Sequence, residues 1–227
     1  MKKEIIAAVL LIACITSGLF AGCTGVRVLG SGNLINKTYE FSDFTGVKAG
    51  NGFQVELIQS DIFSIEITVD DNVMEHVEIN KSGSSLTIRA KGNRSFRSVT
   101  LKAEVTMPDI RKLELSGGAH ANFTGFSSSN DLSINISGGS HLNSLGTPGD
   151  ITVGDANFNL SGGSHVTLSG SAASLDINGS GGSHFNLEDF SVSNASIKLS
   201  GGSHATVDVN GTLDADISGG SRVSYVG

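Results

Sequence analysis

The stretch Ser161-Gly162-Gly163-Ser164-His165 decides the fold, because the same motif returns throughout the second half of the chain. A motif that recurs at a nearly fixed period is typical of repeat proteins, in which each unit buries its apolar face only against its neighbours. The copies start 21, 24, 19, 20 and 18 residues apart, at Ser116, Ser137, Ser161, Ser180, Ser200 and Ser218.

The residues on both sides of each motif alternate between apolar and polar, as in Leu113-Glu114-Leu115 before the first copy and Ala121-Asn122-Phe123 after it. A period of two predicts a β-strand with one buried face. The Gly-Gly pair between the two strands fits a sharp corner, because glycine adopts positive φ without steric cost. The predicted fold class is all-β: a single-stranded right-handed parallel β-helix (β-solenoid) with repeats of about 20 residues.

Stacking the repeats as parallel strands would place equivalent side chains about 4.8 Å apart. Alternation turns residues such as Ala121 and Val166 inward, so the residue that precedes each of them points outward. The resulting histidine column contains His120, His141, His165, His184, His204 and Arg222. A second outward column beside it contains Asn122, Asn143, Thr167, Asn186, Thr206 and Ser224. These two columns are the candidate surface site.

The composition suits a slim, elongated domain, with 30 glycines, two prolines, no tryptophan and 6% aromatic residues. The net charge is -7, and basic residues do not cluster beyond the first three positions. We therefore expect no nucleic-acid partner, since the electrostatic footprint of one is missing. Both cysteines, Cys14 and Cys23, lie in the opening segment, so the rest of the chain cannot form an internal disulfide.

The first residues have the features of an export signal: the basic pair Lys2-Lys3, an apolar run over residues 5–20 and small residues before a break. Cys23 directly follows Ala-Gly and resembles the lipobox of exported lipoproteins. We predict a lipoprotein-type signal peptide over residues 1–22 and lipidation of Cys23, which would anchor the chain to a membrane through two acyl chains. An ordinary cleaved signal and a retained anchor are the alternatives.

Residues 23–37 are predicted to be the lipidated cysteine and a flexible tether, because they are rich in Gly, Ser and Asn. Residues 38–227 are predicted to form the β-helix domain, with irregular rungs over 38–110 and regular rungs over 111–227. In the irregular part, residues 47–53 look like a degenerate copy of strand, corner and strand, which places Gln54 near the histidine column.

Several landmarks carry a resemblance to a known family: Phe41-Ser42-Asp43-Phe44-Thr45-Gly46-Val47, then Phe53-Gln54-Val55, Met107-Pro108 and the Ser-Gly-Gly repeats. In this order they resemble the head GIN domain family, described as an autotransporter adhesin head, over roughly residues 38–225. The resemblance implies a single-stranded right-handed β-helix, export or lipid anchoring in many members, and no catalytic residues to carry over. The histidine after each Ser-Gly-Gly-Ser departs from the family pattern, so its role is not inherited.

Catalysis is not expected from this pattern. Ser140 and His141 are adjacent on a strand, so their side chains point to opposite faces and cannot pair as nucleophile and base. The outward residues two before each motif are mixed, so no acid recurs to orient an imidazole, and we expect no enzyme activity and no cofactor. The residues at this position, two before the first serine of a motif, include Glu114, Asn135, Asn159, Lys198 and Asp216.

Metal binding is the alternative that the histidines leave open. Imidazoles about 4.8 Å apart on neighbouring strands could share Zn²⁺, although a further ligand would be needed. The candidate ligands are His141, His165, His184 and His204. In any case neighbouring charged imidazoles would repel, so the sequence predicts weaker stability near pH 5.

The sequence thus predicts an exported, membrane-anchored lipoprotein of the cell envelope that acts as a surface-interaction module in adhesion. Its expected partners are a glycan or protein at the cell surface, because an array of Asn, Thr, Ser and His can hydrogen-bond to a repetitive polymer. The last predicted strand, near Arg222, lacks a following cap, which predicts end-to-end pairing into a homodimer. A metal-binding surface protein that uses the histidine column is the alternative function.

Overall fold

The computed structural model describes residues 26–92, 94–144 and 150–227. The predicted signal peptide and Cys23 lie outside these ranges. The described chain is almost entirely β, with one short 3-10 helix at Asp71–His76. The strands are β1 (Val26–Leu29), β2 (Leu34–Tyr39), β3 (Gly46–Ala49), β4 (Gln54–Gln59), β5 (Ser64–Asp70), β6 (Val77–Ser82), β7 (Ser85–Ala90), β8 (Arg94–Arg97), β9 (Leu101–Met107), β10 (Lys112–Leu115), β11 (His120–Thr124), β12 (Leu132–Ile136), β13 (His141–Ser144), β14 (Ile151–Thr152), β15 (Asp155–Leu160), β16 (His165–Thr167), β17 (Gly170–Gly179), β18 (His184–Leu199), β19 (His204–Ile217) and β20 (Arg222–Val226).

The second half winds as a β-solenoid of about five turns with a repeat spacing of about 21 residues, which confirms the predicted class. Each rung contains a strand before the glycine corner and a strand after it, and β14, the beginning of β17 and the middle of β18 form a further ladder. The strands before the corner form the first face, which runs through β3, β10, β12, β15 and the later parts of β17, β18 and β19. The strands after it form the second face, which runs through β4, β11, β13, β16, the beginnings of β18 and β19, and β20.

The core is a narrow apolar column enclosed by these faces. Over the regular rungs before the last one, the inward residues are buried, so Ala121, Leu142, Val166 and Phe185 stack on the inner side of the second face. Larger aromatic rings fill the space between the faces, and the rings of Phe158 and Phe190 lie 6.0 Å apart. Burial of these side chains is the main favourable contribution to folding.

The first glycine of each corner is required by both backbone and packing. Gly201 has φ of 70°, and a Cβ atom there would lie 3.0 Å from the backbone nitrogen of Gly181 in the preceding rung. The same contact recurs from rung to rung, so the first glycines form a column without side chains. The second glycine, Gly202, has φ of 94° but no atom within 4 Å of an added Cβ.

The second serine of the motif is buried, although its hydroxyl is polar. Ser203 is fully buried; its Oγ donates to the carbonyl oxygen of Ser200 at 2.9 Å and accepts from the backbone N–H of Ser183 at 3.3 Å. One hydroxyl therefore closes its own corner and links it to the corner of the preceding rung. Ser140, Ser164 and Ser183 are buried in the same way.

The degenerate copy predicted at residues 47–53 forms a corner of the same kind. Asn51 has φ of 57° and Gly52 has φ of 78°. Asparagine is one of the few residues other than glycine that tolerates this left-handed region. The nitrogen of Asn51 lies 3.3 Å from a Cβ built on Gly117, so this corner continues the glycine column.

The N-terminal part departs from the single-stranded parallel winding predicted for residues 38–110. Strands β7 and β9 pair with the outer sides of β3 and β4, whose inner sides pair with β10 and β11. The rung formed by β7 and β9 follows β3 and β4 in the chain, but it lies nearer the N-terminal end of the solenoid. Antiparallel strands then cover this end, with β6 on β7, β5 on β9 and β2 on β5. Alternating strand patterns look the same in parallel and antiparallel pairs, so the sequence did not distinguish them.

The prediction of a flexible tether is wrong from Val26 onward, because β1 and β2 are part of the domain. Strand β1 pairs in parallel with β8. The buried carboxylate of Asp70 accepts hydrogen bonds from the N–H groups of Gly32 and Thr100, both at 2.7 Å. Asn72 adds a hydrogen bond to the carbonyl oxygen of Leu29 at 2.8 Å. These contacts order a segment whose composition suggested disorder.

The opposite end of the solenoid is open. Ile217, Tyr225 and Val226 are 43%, 68% and 42% exposed on the last rung. No strand among the described residues pairs with the outer side of β20, so its backbone edge is free. End-to-end pairing of two chains through this edge stays a prediction. In the described parts of the chain, no helix combines the length and apolarity needed to cross a membrane.

Candidate functional site

The histidine column lies on the second face, where the sequence predicts it. Its members are paired in register from strand to strand: His120 with His141, then His165, His184, His204 and Arg222. Gln54 and Lys102 extend the column in the other direction, as the degenerate copy predicts for Gln54. Every histidine of the column is exposed except His141, which is half-buried. The column is therefore displayed on the surface, and a binding role for it stays a prediction.

Successive imidazole rings lie against one another along this column; the first two pairs are tilted, by 58° and 53°, and the last two are stacked. Ring centroids of successive histidines are 4.7, 4.8, 4.6 and 5.3 Å apart. The planes of His165 and His184 differ by only 5°. Nε2 of His141 and Nδ1 of His165 are 3.1 Å apart, a hydrogen bond in which one nitrogen donates and the other accepts. That bond requires at least one of the two rings to be neutral.

Burial and neighbouring rings together disfavour protonation in the middle of the column. The pKa of His141 lies below its ordinary value of 6.5, mainly because burial removes water and secondarily because His120 is close. The pKa of His165 is lowered by burial, then by His184 and His141, against a smaller opposing effect from the backbone of Gly163. The folded chain therefore holds fewer protons here than the unfolded chain.

The second column is also in register, from Asn122 through Asn143, Thr167, Asn186, Thr206 and Ser224. In the N-terminal direction it continues into Glu56 and Glu104, so its character changes from neutral to acidic. Over the regular rungs the column presents only amides and hydroxyls. These groups donate and accept hydrogen bonds without carrying charge.

The alternative prediction of a metal site at His141, His165, His184 and His204 is not supported. Across residues 26–92, 94–144 and 150–227, no group of three or more His, Cys, Asp or Glu side chains is placed to hold a metal ion. Imidazole lone pairs lie in the ring plane, so the nearly parallel rings of His165, His184 and His204 direct them side by side rather than toward a common point. The facing nitrogens of His141 and His165 are already hydrogen-bonded to each other.

A groove on the other side of the glycine corner was not predicted from the sequence. It encloses about 850 Å³ and runs along the first face. The outer of its two lining columns, which we call the asparagine column, contains Thr87, Lys48, Glu114, Asn135, Asn159, Asn178, Lys198 and Asp216 in register. The inner column, next to the corner, contains Arg89, Gly50, Ser116, Ser137, Ser161, Ser180, Ser200 and Ser218.

The groove is long and narrow. Seven steps of about 4.8 Å between neighbouring strands make it about 34 Å long. Its middle carries three asparagines in succession, Asn135, Asn159 and Asn178. The sequence contained a signal for them, because each lies two residues before the first serine of a motif. The equivalent positions of other repeats carry Glu114, Lys198 and Asp216, so the three asparagines did not stand out as a column in the sequence.

Opposite charges compensate one another at the N-terminal end of the groove. Glu114 lies 3.0 Å from Nζ of Lys48 and 2.6 Å from Nζ of Lys112. Burial alone would raise the pKa of Glu114, but hydrogen bonds and attraction from Lys112 and Lys48 together lower it. Arg89 forms a further ion pair with Glu78 at 3.0 Å. The carboxylate of Glu114 therefore stays ionised and neutralises nearby cations.

The chemistry available on both faces is hydrogen bonding. The buried serines Ser140, Ser164, Ser183 and Ser203 are committed to backbone partners, as at Ser164, whose Oγ donates to the carbonyl oxygen of Ser161 at 2.7 Å. Amides and hydroxyls on both faces, and imidazoles on the second, recur at one-strand intervals. This arrangement suits recognition of an extended polymer rather than of a compact molecule.

Solved structures share this architecture. A "putative adhesin" from Bacteroides fragilis NCTC 9343 is 15% identical, with 88% of this chain and 100% of that chain covered and a TM-score of 0.76. A "putative adhesin" from Parabacteroides merdae ATCC 43184 is 19% identical, with coverage of 89% and 100% and a TM-score of 0.69. A "putative lipid binding protein" from Parabacteroides distasonis ATCC 8503 is 15% identical, with coverage of 88% and 100% and a TM-score of 0.67. At these identities the likeness concerns the fold.

No functionally curated protein has a sequence that matches this chain. The family model described as "Putative auto-transporter adhesin, head GIN domain" matches residues 43–227, which include every regular rung and both faces of the corner. The sequence landmarks, the solenoid and this match agree, and the chain belongs to the head GIN domain family.

Proposed function

We propose that this chain is an exported, lipid-anchored protein of the cell envelope that acts as a surface-interaction module in adhesion. The observation that carries the proposal is the unbroken register of the second face, where the histidine column and its neutral neighbour follow one another over successive strands. A repeated surface of this kind matches a ligand that is itself repetitive. The family description as an adhesin head supports the same role.

The proposed anchor agrees with the position of the first strand. Only Thr24 and Gly25 separate Cys23 from Val26, where β1 begins. Three residues span at most about 10 Å, so a lipid on Cys23 would hold this end of the domain close to the bilayer. Strand β1 pairs with β8 in the N-terminal part, so the regular rungs extend from the end that carries the anchor.

The anchor is tested by labelling cells with radioactive palmitate and isolating the chain. Cys23→Ala is expected to abolish labelling and to shift the chain out of the detergent phase. Cys14→Ala is the matched control, since it removes the other cysteine of the same apolar segment and should leave labelling intact. Labelling that survives Cys23→Ala would refute the anchor.

The interaction role is tested by adherence of intact cells to immobilised glycans and extracellular proteins. Antibody staining without permeabilisation should detect the chain at the surface, and deletion should reduce adherence. Replacing all five column histidines by Asn should reduce adherence several-fold, because it removes the imidazoles of the displayed column. His76→Asn, at the one histidine outside that column, should have no effect. Equal adherence with and without the chain would overturn the proposal.

A further inference from the structure

The groove on the first face is chemically distinct from the histidine column and has its own hydrogen-bonding pattern. In its middle, Asn135, Asn159 and Asn178 are all half-buried. Nδ2 of Asn159 donates to Oδ1 of Asn157 at 2.7 Å, and Nδ2 of Asn135 lies 3.4 Å from Oγ of Ser133. These lateral contacts hold the amides of Asn135 and Asn159 in place and leave their carbonyl oxygens as acceptors.

Serine hydroxyls complete the pattern on the corner side. Ser137, Ser161 and Ser180 line the groove next to the three amides. Each hydroxyl both donates and accepts, and each amide offers a carbonyl oxygen and N–H groups. A chain with vicinal hydroxyl groups presents the complementary set, because every hydroxyl is also both donor and acceptor.

The charges that line the groove do not favour a polyanion or a polycation. Its charged side chains are Lys48, Arg89 and Lys198 against Glu114 and Asp216. The first two cations are paired with Glu114 and Glu78, and the groove lining at the rungs of Asn135, Asn159 and Asn178 is uncharged. Nucleic acids and polyuronates require an excess of positive charge, which this groove does not provide.

The floor of the groove also disfavours a peptide that would bind as an added strand. Its backbone N–H groups are already used between rungs, as in Ser137 to Leu115 at 2.9 Å, Ser161 to Ile136 at 3.0 Å and Ser180 to Leu160 at 3.0 Å. Strand addition requires an unpaired sheet edge, and the interior of this face has none. The ligand must therefore contribute hydrogen-bonding groups along its own length.

We infer that this groove binds a linear, uncharged oligosaccharide, laid along the solenoid axis with its hydroxyl groups bonded to the asparagine column and the neighbouring serines. The inference rests on the proposed role in surface interaction, and it adds a ligand class and a second surface to it. It does not depend on the lipid anchor. The length of about 34 Å accommodates several sugar rings in a row.

The test uses the full chain in a zwitterionic detergent, which avoids sugar headgroups. Cellohexaose, maltohexaose and chitohexaose are titrated by calorimetry and by NMR, with hexagalacturonate and an uncharged Ser/Thr/Gly peptide as comparison ligands. At least one neutral hexasaccharide should bind and shift groove amides. The triple variant Asn135→Ala, Asn159→Ala and Asn178→Ala should weaken that binding about 10- to 100-fold, as expected for the loss of several hydrogen bonds.

Two further variants keep the test decisive. Asn210→Ala removes an exposed asparagine that lines neither the groove nor the histidine column, and it should leave oligosaccharide binding unchanged. Ser161→Phe fills the groove without altering the asparagine column and should also abolish binding. Circular dichroism identifies any variant that fails to fold.

Failure to bind any of the three neutral sugars at millimolar concentration would overturn the inference, as would preference for the uronate or the peptide. Binding unaffected by both groove variants would overturn it as well. These outcomes are separate from the labelling and adherence experiments. Sugar binding with no surface display would contradict the proposed function alone, and surface display without sugar binding would contradict the groove alone.

Discussion

The regular rungs between Lys112 and Val226 and the N-terminal part between Val26 and Met107 are stabilised in different ways. The regular rungs repeat one corner, in which a first glycine, a buried serine and an inward apolar residue recur at matching positions. The N-terminal part uses contacts that occur once, such as the Asp70 carboxylate between Gly32 and Thr100.

This difference predicts how each region responds to mutation. A substitution in a regular corner alters the contact between equivalent residues of adjacent rungs. The resulting loss of stability should therefore depend on packing between rungs. A substitution in the N-terminal part should affect the few strands that depend on one unique contact. The predictions below test this contrast, from the largest expected effect on stability to the smallest.

Gly201→Ala should destabilise the chain by about 2 to 5 kcal/mol. The left-handed conformation costs about 1–2 kcal/mol for a residue with a Cβ, and overpacking against Gly181 adds about 1–3 kcal/mol. Gly202→Ala, at the neighbouring position with open space, should cost only about 1–2 kcal/mol. Denaturant titration measures both. Equal losses would show that packing between rungs does not decide the cost.

Ser203→Ala should cost about 1–3 kcal/mol, because it leaves the carbonyl oxygen of Ser200 and the buried N–H of Ser183 without their hydroxyl partner. Ser200→Ala is the control: this hydroxyl is exposed, and its removal should change stability by no more than about 0.5 kcal/mol. Urea unfolding compares the two variants. A Ser203 variant as stable as the control would mean that the buried serine does not link the corners.

Asp70→Asn should act locally in the N-terminal part. The hydrogen bonds from Thr100 and Gly32 hold the pKa of Asp70 below its ordinary value of 3.8, so the native site requires the carboxylate. An amide oxygen can replace only one of the two acceptors. Hydrogen exchange should therefore quicken in β1, around Gly32 and at Thr100, and stay unchanged in the regular rungs.

Asp71→Asn, at the exposed neighbouring acid, provides the comparison for that experiment. It should alter exchange much less, because Asp71 does not hold two buried backbone groups. Faster exchange throughout the solenoid after Asp70→Asn would remove the distinction between the two regions.

Acidification should produce a smaller loss of stability, confined to the regular rungs. The pKa values of His141 and His165 are lower in the folded chain than the ordinary 6.5, so their contribution is fully present above that pH and is lost as pH falls through the folded values. The groups that face them along the column are His120, His184, His204 and Arg222. The adjoining second column is uncharged over these rungs.

Melting curves from about pH 8 to about pH 5 measure this loss. A variant with Asn at all five column positions should melt with a weaker pH dependence. Parallel curves for the two chains would place the acid sensitivity elsewhere in the molecule.

The sequence was sufficient to predict the columns of the regular half and not the topology of the N-terminal half. A motif that returns at a fixed period, flanked by alternating residues, fixes which side chains share a column, and the pairing of His165 with His184 follows directly. Strands such as β5 and β9 alternate in the same way whether they pair in parallel or antiparallel. Their arrangement depends on which neighbours compete best for an edge, and local pattern does not carry that information.

The groove could be predicted only in part. The alternation places Asn135 and Asn159 on the outer side of the first face, but it does not reveal whether that side is flat or concave. Whether this surface is concave depends on how far the side chains of the two lining columns project from the first face. The histidines were predicted as a candidate site because imidazoles have distinctive chemistry. Asparagines are common on any solvated polar surface, so they gave no comparable signal.

The reversed order of the first rungs has a consequence for how the chain reaches its native state. Strands β3 and β4 form the earliest rung in the sequence, yet both of their neighbours come later, and β10 begins only at Lys112. During synthesis or export, β3 and β4 cannot pair as soon as they emerge, because the strands that pair with them follow later in the chain. They must wait unpaired or in temporary contacts, and closure over such long separations is slow. The regular turns meet no such delay, so each can be added to its predecessor as soon as it appears.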